Sequence, residues 1–218
     1  MLRVAAAQTR PRCHSQRYCT PALLSLHTCP ARGTRMPLSS VHAVRFPSES
    51  KLASLYKSAY FVDAYAVSLP IPKSGAYTPD VLARAFFCEP PAWFSLLMRI
   101  RDRVMATFGV KRSTEIQAAA EKRGIDTIAV FPVLSRTDSE IIVGEFDSHL
   151  DFQTSILIRE HQHFVMDYME SNSEGREMVV TTVVHCHGLF GKVYIAIIKA
   201  FHVMIVKYSL RRVPGRIR

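Results

Sequence analysis

The pattern of hydrophobic and polar positions changes its period along this chain of 218 residues. In the first half, an apolar run predicts one strand, and apolar residues three and four apart then predict helices. Thr78 is a favourable N-cap residue, Pro79 suits the first helical position, and Gly109 is typical of a helix end. The predicted elements are a strand at 60–69, helices at 79–88 and 92–108, and a short helix or ordered loop at 113–123.

From about residue 126 the apolar residues alternate with polar ones or form short runs, which is typical of β-strands. In LDFQTSILI, Leu150 and Phe152 face one side of the strand and Asp151 faces the other, which predicts one buried and one solvent-exposed face. Short turns between the segments predict an antiparallel meander. The predicted strands are DTIAVFPVL (126–134), EIIVGEF (140–146), LDFQTSILI (150–158), HFVMDYM (163–169) and EMVVTTVVHCH (177–187).

The last apolar segment, 189–206, predicts an amphipathic helix that packs on the sheet. Two lysines and a histidine interrupt it, so it falls short of the roughly 18 apolar residues of a membrane span, and no integral membrane segment is expected. Phe201 and Ile205 are expected to anchor the helix, with His202 at the rim. The predicted buried face consists of Phe190, Tyr194, Ile197, Phe201, Ile205 and Tyr208.

These elements predict an α+β fold with the order β-α-α-β(about five strands)-α, in which a curved antiparallel sheet wraps a long C-terminal helix. A helix lying on a concave sheet leaves space beneath it, because the sheet curves more strongly than the helix. A pocket between the sheet and the last helix is therefore the expected binding site.

The formal net charge of +10 comes from the two ends of the chain. Residues 1–35 carry six Arg and no acid, and 207–218 carry five cations. Residues 36–206 therefore contain 17 of the 28 Lys and Arg together with all 18 Asp and Glu. This nearly neutral body has no basic stripe, and we therefore expect no nucleic-acid partner.

Residues 1–40 are expected to be a disordered extension, followed by a single domain at 41–213 and a basic tail at 214–218. An Arg-rich, acid-free start is typical of a mitochondrial transit peptide. Several prolines interrupt the amphipathic helix that such a peptide needs, which favours translated upstream sequence ahead of Met36. The expected location is the cytoplasm, or the mitochondrial matrix if the transit peptide is genuine.

The triplet His185-Cys186-His187 ends the last predicted strand. In an extended strand the two histidines share one face and Cys186 takes the other, so the three cannot ligate one metal ion, and no metal is expected. The favoured interpretation is that the imidazoles bond backbone groups freed where the strand becomes a helix. Two alternatives stay open: a polar role at the mouth of the cavity, or a metal held by both histidines and a carboxylate from a neighbouring strand.

Three further polar residues are candidates for chemistry. His149 and Asp151 are two positions apart in a strand, so they could transfer a proton together, although capping the preceding turn is favoured. Tyr194 is expected in the core, with its hydroxyl at the polar end of the cavity.

Asp63 lies in an otherwise apolar strand. If it is buried, its carboxylate must be hydrogen-bonded or paired with a cation. Arg101 or Arg103 is the expected partner.

Three stretches carry a resemblance to a known family: YFVDAYAVSLP, VGEFDSHLDFQTSILI and TTVVHCHGLFGKVYIAIIKAFHVMIVKYSLRR. Over about 43–212 the chain resembles an uncharacterised bacterial family, number 2867 among the domains of unknown function. The resemblance implies a helix-grip fold like START or polyketide-cyclase domains, which bind lipids and other apolar small molecules. The matching positions are Asp63, His149 to Phe152, His185, Gly191, Tyr194, Phe201 and His202, whereas Ala200 stands where a Pro is expected and puts a helix kink there in doubt.

The expected function is the binding of an apolar small molecule between sheet and helix, without a cofactor. One alternative is a cyclase-, hydratase- or isomerase-type enzyme acting on such a ligand. Another is an accessory protein that binds a reductase or other protein partner, since the resembling domain occurs behind nucleotide-binding reductase domains, although this chain has no G-x-G-x-x-G. The candidate catalytic residues are His149, Asp151, His185 and Tyr194, and the candidate ligand-binding residues are Asp63, His185, His187, Tyr194, Phe201 and His202.

Overall fold

The structure is a computed structural model that describes residues 40–72, 76–87, 90–106, 120, 122–160 and 175–217. The chain divides into two units after Met36, and all described residues belong to the unit Pro37–Arg218. The predicted strand at 163–169, most of the predicted element at 113–123 and the predicted N-terminal extension up to residue 39 lie outside the described residues.

The described elements follow the predicted order. Thr78 begins the first helix as predicted, with its hydroxyl accepting a hydrogen bond from the Val81 N–H at 3.4 Å. The segment predicted as one strand at 126–134 forms two, because Ala129 takes a positive φ of 55° and turns the chain. The elements are β1 (His42–Ala43), a 3-10 turn (Ala53–Leu55), β2 (Phe61–Ser68), α1 (Pro79–Phe87), α2 (Ala92–Ala106), β3 (Thr127–Ile128), β4 (Phe131–Arg136), β5 (Glu140–Phe146), β6 (Leu150–Glu160), β7 (Arg176–Cys186) and α3 (Gly188–Arg216).

The strands form one antiparallel sheet in the order β1-β2-β7-β6-β5-β4-β3. Strands β4 to β7 pair in sequential order, as expected for an antiparallel meander, but β6 pairs directly with β7, whereas the prediction had a further strand between them. The first long strand, β2, pairs with the last, β7, so that Asp63 lies opposite Thr182. The α+β fold with a curved antiparallel sheet and a long C-terminal helix is therefore as predicted.

The main core lies between one face of the sheet, α1 and the C-terminal half of α3. Leu82 and Phe86 of α1 and Leu210 of α3 pack against apolar side chains of the sheet, including Ile156 and Val180. Leu82, Leu210, Ile156 and Val180 are completely buried. This burial fixes the position of α3 along the sheet.

The opposite face of the sheet is covered by the segment that precedes β2. The buried carboxylate of Glu140 accepts hydrogen bonds from the Ser50 and Ser155 hydroxyls, each at 2.5 Å, and from the Lys51 N–H at 3.0 Å. Three donors meet one buried carboxylate, so its charge is compensated by hydrogen bonds. This cluster attaches the segment to the sheet, and we assign it a structural role.

The predicted buried face of α3 is wrong. Ile197 is 65% exposed and Phe201 is 46% exposed, whereas Ile195 and Val206 are buried. His202, predicted at the rim, instead faces the sheet. The prediction failed because apolar residues occupy all sides of this helix, so that their spacing fits more than one face.

Helix α3 is long and apolar enough to cross a membrane by length and composition, and 17% of its most apolar window is buried. Length and composition are equally compatible with a helix that packs on a sheet. The absence of a membrane span therefore stays a prediction.

Candidate functional site

The sheet face beneath α3 carries a buried carboxylate on β2. Asp63 is 9% exposed, and His202 of α3 points its Nε2 atom at it, 3.4 Å from Oδ1 and 3.2 Å from Oδ2. Only the contact with Oδ1 has hydrogen-bond geometry, with Nε2–H as the donor. The partner of Asp63 is thus a histidine of the last helix. The prediction that Arg101 or Arg103 would be its partner is wrong.

Two threonines lie in line with this carboxylate across the sheet. Thr182 of β7 lies opposite Asp63 of β2, and Thr154 of β6 lies opposite Thr182 on its other side. Directly opposite residues of antiparallel strands place their side chains side by side on one face. We call Asp63, Thr182 and Thr154 the polar row.

The polar row has unused hydrogen-bonding capacity. Within the described part of the chain, Asp63 Oδ2 and Thr182 Oγ1 are buried and have no hydrogen-bond partner. A buried polar atom without a partner costs about 1–3 kcal/mol. Two such atoms side by side therefore mark a place where a hydrogen-bonding group from a ligand or a bound water would be stabilised.

The surroundings of the polar row are apolar. Phe61, two positions before Asp63, packs its ring edge-on against His202 with ring centres 5.7 Å apart. Phe61 also belongs to a cluster of mostly apolar side chains between the sheet and the first turns of α3. The cluster includes Leu150, Phe152, Val184, Ile195 and Ile198.

A second polar group lies two turns nearer the start of α3. The ring of His149, which is 5% exposed, packs edge-on against Tyr194 with ring centres 5.2 Å apart. The Tyr194 hydroxyl accepts a hydrogen bond from Arg101 Nε at 3.2 Å. Tyr194 and His202 are eight residues apart, or roughly 12 Å along the helix axis.

The backbone beside His149 is held close to α3. A Cβ atom at Gly191 would collide with the carbonyl oxygen of His149, so only glycine permits this approach. The same carbonyl accepts a hydrogen bond from the His187 N–H at 2.8 Å. The start of the helix is thereby fixed against the turn before β6.

Burial lowers the pKa of His149 below its usual value. The nearby carboxylate of Asp147 raises the pKa, and the Arg101 guanidinium lowers it, but burial has the largest effect. His149 is therefore neutral at neutral pH. Neither ring nitrogen has a hydrogen-bond partner among the described residues.

We expect the free energy of unfolding to fall as the pH drops below about 6.5, the pKa of an unperturbed histidine. In this range the unfolded chain binds a proton at His149 that the folded chain excludes. The free energy of unfolding therefore decreases as the pH falls, with a slope set by at most one proton. Urea unfolding at several pH values should show a weaker pH dependence for His149→Asn than for the unaltered protein. An identical pH dependence of both proteins would contradict the lowered pKa.

The two histidines of the triplet lie away from the polar row. His185 Nε2 is 3.1 Å from the Ser58 hydroxyl, and His187 Nε2 is 3.0 Å from Asp151 Oδ2. His185 and Asp151 are opposite each other on the sheet face that does not carry α3. His187 makes no side-chain capping hydrogen bond, so the favoured capping interpretation is wrong for it.

Several predicted site residues are thus separated. His149 contacts α3, whereas Asp151 pairs with His187, so the joint proton transfer by His149 and Asp151, raised as an alternative to capping, has no support. Phe201 is 46% exposed on the outward side of α3 and does not face the sheet. Among the described residues, no group of three His, Cys, Asp or Glu is placed to hold a metal ion.

A family model described as Protein of unknown function (DUF2867) matches residues 55–209. The chain belongs to this family. The matched range includes Asp63, Thr182 and His202, so the polar row and its histidine lie within the domain that defines the family. Comparisons with curated proteins and with solved structures found no match.

Sequence reasoning missed both threonines of the polar row in this DUF2867 domain. Thr154 and Thr182 occur in strands rich in Val and Ile, where a lone polar residue on the covered face is the available signal. Thr181 and Thr182 are adjacent, however, and only the pairing of β7 with β2 shows which of them faces the helix.

Proposed function

We propose that this protein binds a small molecule with an apolar body and one hydrogen-bonding group in the space between the sheet and α3. The observation that carries the proposal is a pair of buried oxygens, Asp63 Oδ2 and Thr182 Oγ1, that have no hydrogen-bond partner among the described residues. A START-like, helix-grip mode of binding accords with a long helix lying on a curved antiparallel sheet.

The polar row determines the kind of group that would be recognised. A carboxylate only accepts hydrogen bonds, whereas the Thr182 hydroxyl both donates and accepts. A hydroxyl or amide N–H on the ligand can donate to Asp63, and the ligand oxygen can accept from Thr182. The apolar cluster around Phe61 and Phe152 would hold the rest of the molecule.

Decanol provides a simple probe, since it has an apolar chain and one hydroxyl. We expect it to bind the full chain, with chemical-shift changes in an NMR titration, and to bind Thr182→Val about tenfold more weakly, as befits the loss of one hydrogen bond. Native mass spectrometry of the purified protein should also show a co-purified small molecule.

Thr181→Val is the matched control. Thr181 is as fully buried as its neighbour but faces the opposite side of the sheet. Its replacement should leave decanol binding unchanged. If decanol fails to bind, or if both valine variants weaken binding equally, the proposed site is wrong.

A second candidate function is acid–base catalysis on such a ligand, of the cyclase, hydratase or isomerase type. The observation that favours it is the neutral, buried His149 beside a Tyr194 hydroxyl that is held by Arg101. A neutral imidazole can accept a proton, and a phenol oriented by a cation can donate one. Asp151 and His185 have no part in this candidate, because both lie on the other face of the sheet.

A further inference from the structure

Helix α3 carries apolar side chains on the side that faces away from the sheet. Their spacing of four, four, four and three residues places them on one helical face. We call this set the outer stripe, and it consists of Leu189 (77% exposed), Val193 (49%), Ile197 (65%), Phe201 (46%) and Met204 (46%). Contiguous exposed apolar side chains of this kind mark a surface that binds something.

The charges of α3 are all of one sign. Gly188–Arg216 contains six Lys and Arg and no Asp or Glu. Lys192 and Lys199 lie on the side of α3 nearer the sheet, over the rings of Tyr60 and Phe61. These lysines are not paired with a carboxylate within the described part of the chain.

The cationic character continues beyond the last apolar residue of the stripe. Lys207 and Arg211 follow on the same helical face, one and two turns further on, and Arg212 is adjacent. Lys207 lies over the Tyr65 ring, and Arg212 lies over the Tyr208 ring. The outer face of α3 is therefore apolar over its first four turns and cationic afterwards.

The inner side of α3 is held by the fold. Gly191 lies against the backbone of His149, and Val206, Leu210 and Val213 are buried in the main core. A helix fixed in this way presents only its outer face to a partner. It can lie on a surface without leaving the sheet, whereas crossing a bilayer would require it to leave the core.

We propose that the outer face of α3 binds the surface of an anionic lipid bilayer, with the helix parallel to the membrane plane. The outer stripe would enter the boundary between headgroups and acyl chains, and the cations would contact lipid phosphates. This inference is independent of the proposed ligand, because the outer stripe and the polar row lie on opposite sides of the helix.

The charge pattern favours a membrane over a second copy of this chain. Two α3 helices packed through their outer stripes would place Lys207 and Arg211 in or beside the contact, without any acid on either helix to compensate these cations. An anionic bilayer supplies the opposite charge along the whole helix.

Vesicle co-sedimentation of the full chain tests the proposal. We expect binding to phosphatidylcholine vesicles with about one fifth phosphatidylserine and much weaker binding to phosphatidylcholine alone. Ile197→Glu should weaken binding at least about tenfold, since it removes an inserted apolar side chain. Replacing Lys207 and Arg211 with Gln should cost about fivefold for each charge. High salt should release the bound protein.

Residues 1–35 carry six Arg, which can themselves attract anionic vesicles. The test of α3 is therefore the difference in vesicle binding between variants that all keep these residues. Ile71→Glu is the matched control, because Ile71 is 81% exposed and lies outside α3. Absence of vesicle binding, or an equal loss of binding in both glutamate variants, would overturn the proposal. So would a dimer in solution that Ile197→Glu converts to a monomer, or bound protein that resists extraction by salt and alkaline carbonate.

Discussion

Replacing Gly191 with alanine is expected to lower the free energy of unfolding by about 3 kcal/mol, at the upper end of the usual overpacking range. The added methyl group would collide with the carbonyl oxygen of His149 and approach the Cys186 side chain. The backbone cannot yield easily there, because the same carbonyl accepts the hydrogen bond from the His187 N–H. Chemical unfolding with urea would measure the difference.

Gly215 provides the control for this prediction, since it lies in the same helix and nothing stands within 4 Å of a Cβ atom added to it. Alanine is favoured over glycine in a helix by about 1 kcal/mol, so Gly215→Ala should leave the stability unchanged or slightly raised. Equal stability of the two alanine variants would show that α3 does not approach His149 as closely as described.

Replacing Leu210 with alanine should destabilise the protein by about 2–5 kcal/mol. Leu210 is fully buried between α1 and the sheet, and its truncation would leave a cavity in the main core. Phe201→Ala should cost much less, because the Phe201 side chain is 46% exposed on the outer stripe. Urea unfolding of the two variants side by side would test this order.

The reverse order, with Phe201→Ala the more damaging, would restore the helix face predicted from the sequence. It would also remove the basis for the outer stripe as a membrane-binding surface. The comparison of Leu210 with Phe201 therefore tests the rotation of α3 about its own axis, on which both the inner site and the outer surface depend.

The family membership and the α+β plan were accessible from the sequence, because both follow from local patterns. The change of period near residue 126 separates the helices from the strands, since side chains repeat every 3.6 residues in a helix and every two in a strand. Thr78 marked the start of α1 for a similarly local reason, because an N-cap residue bonds an N–H three positions away.

The composition of the site required the tertiary structure. Asp63 was recognised as a residue that needs a partner, but its partner, His202, is 139 residues away along the chain. Thr182 joined the site only because β7 pairs with β2 in a register that places it beside Asp63. Sequence spacing says which residues share a face of one element, and not which elements face each other.

The rotation of α3 shows the same division most clearly. The sequence by itself determined that a long, apolar, acid-free helix ends the fold. It did not determine which side is buried, because apolar residues surround the helix and several faces satisfy the same spacing. The close approach at Gly191 and the burial of Leu210 selected one rotation, which turned His202 toward Asp63 and left Phe201 outside. Packing decides such a choice, since only one rotation of α3 brings the glycine, which has no Cβ, against a neighbouring backbone.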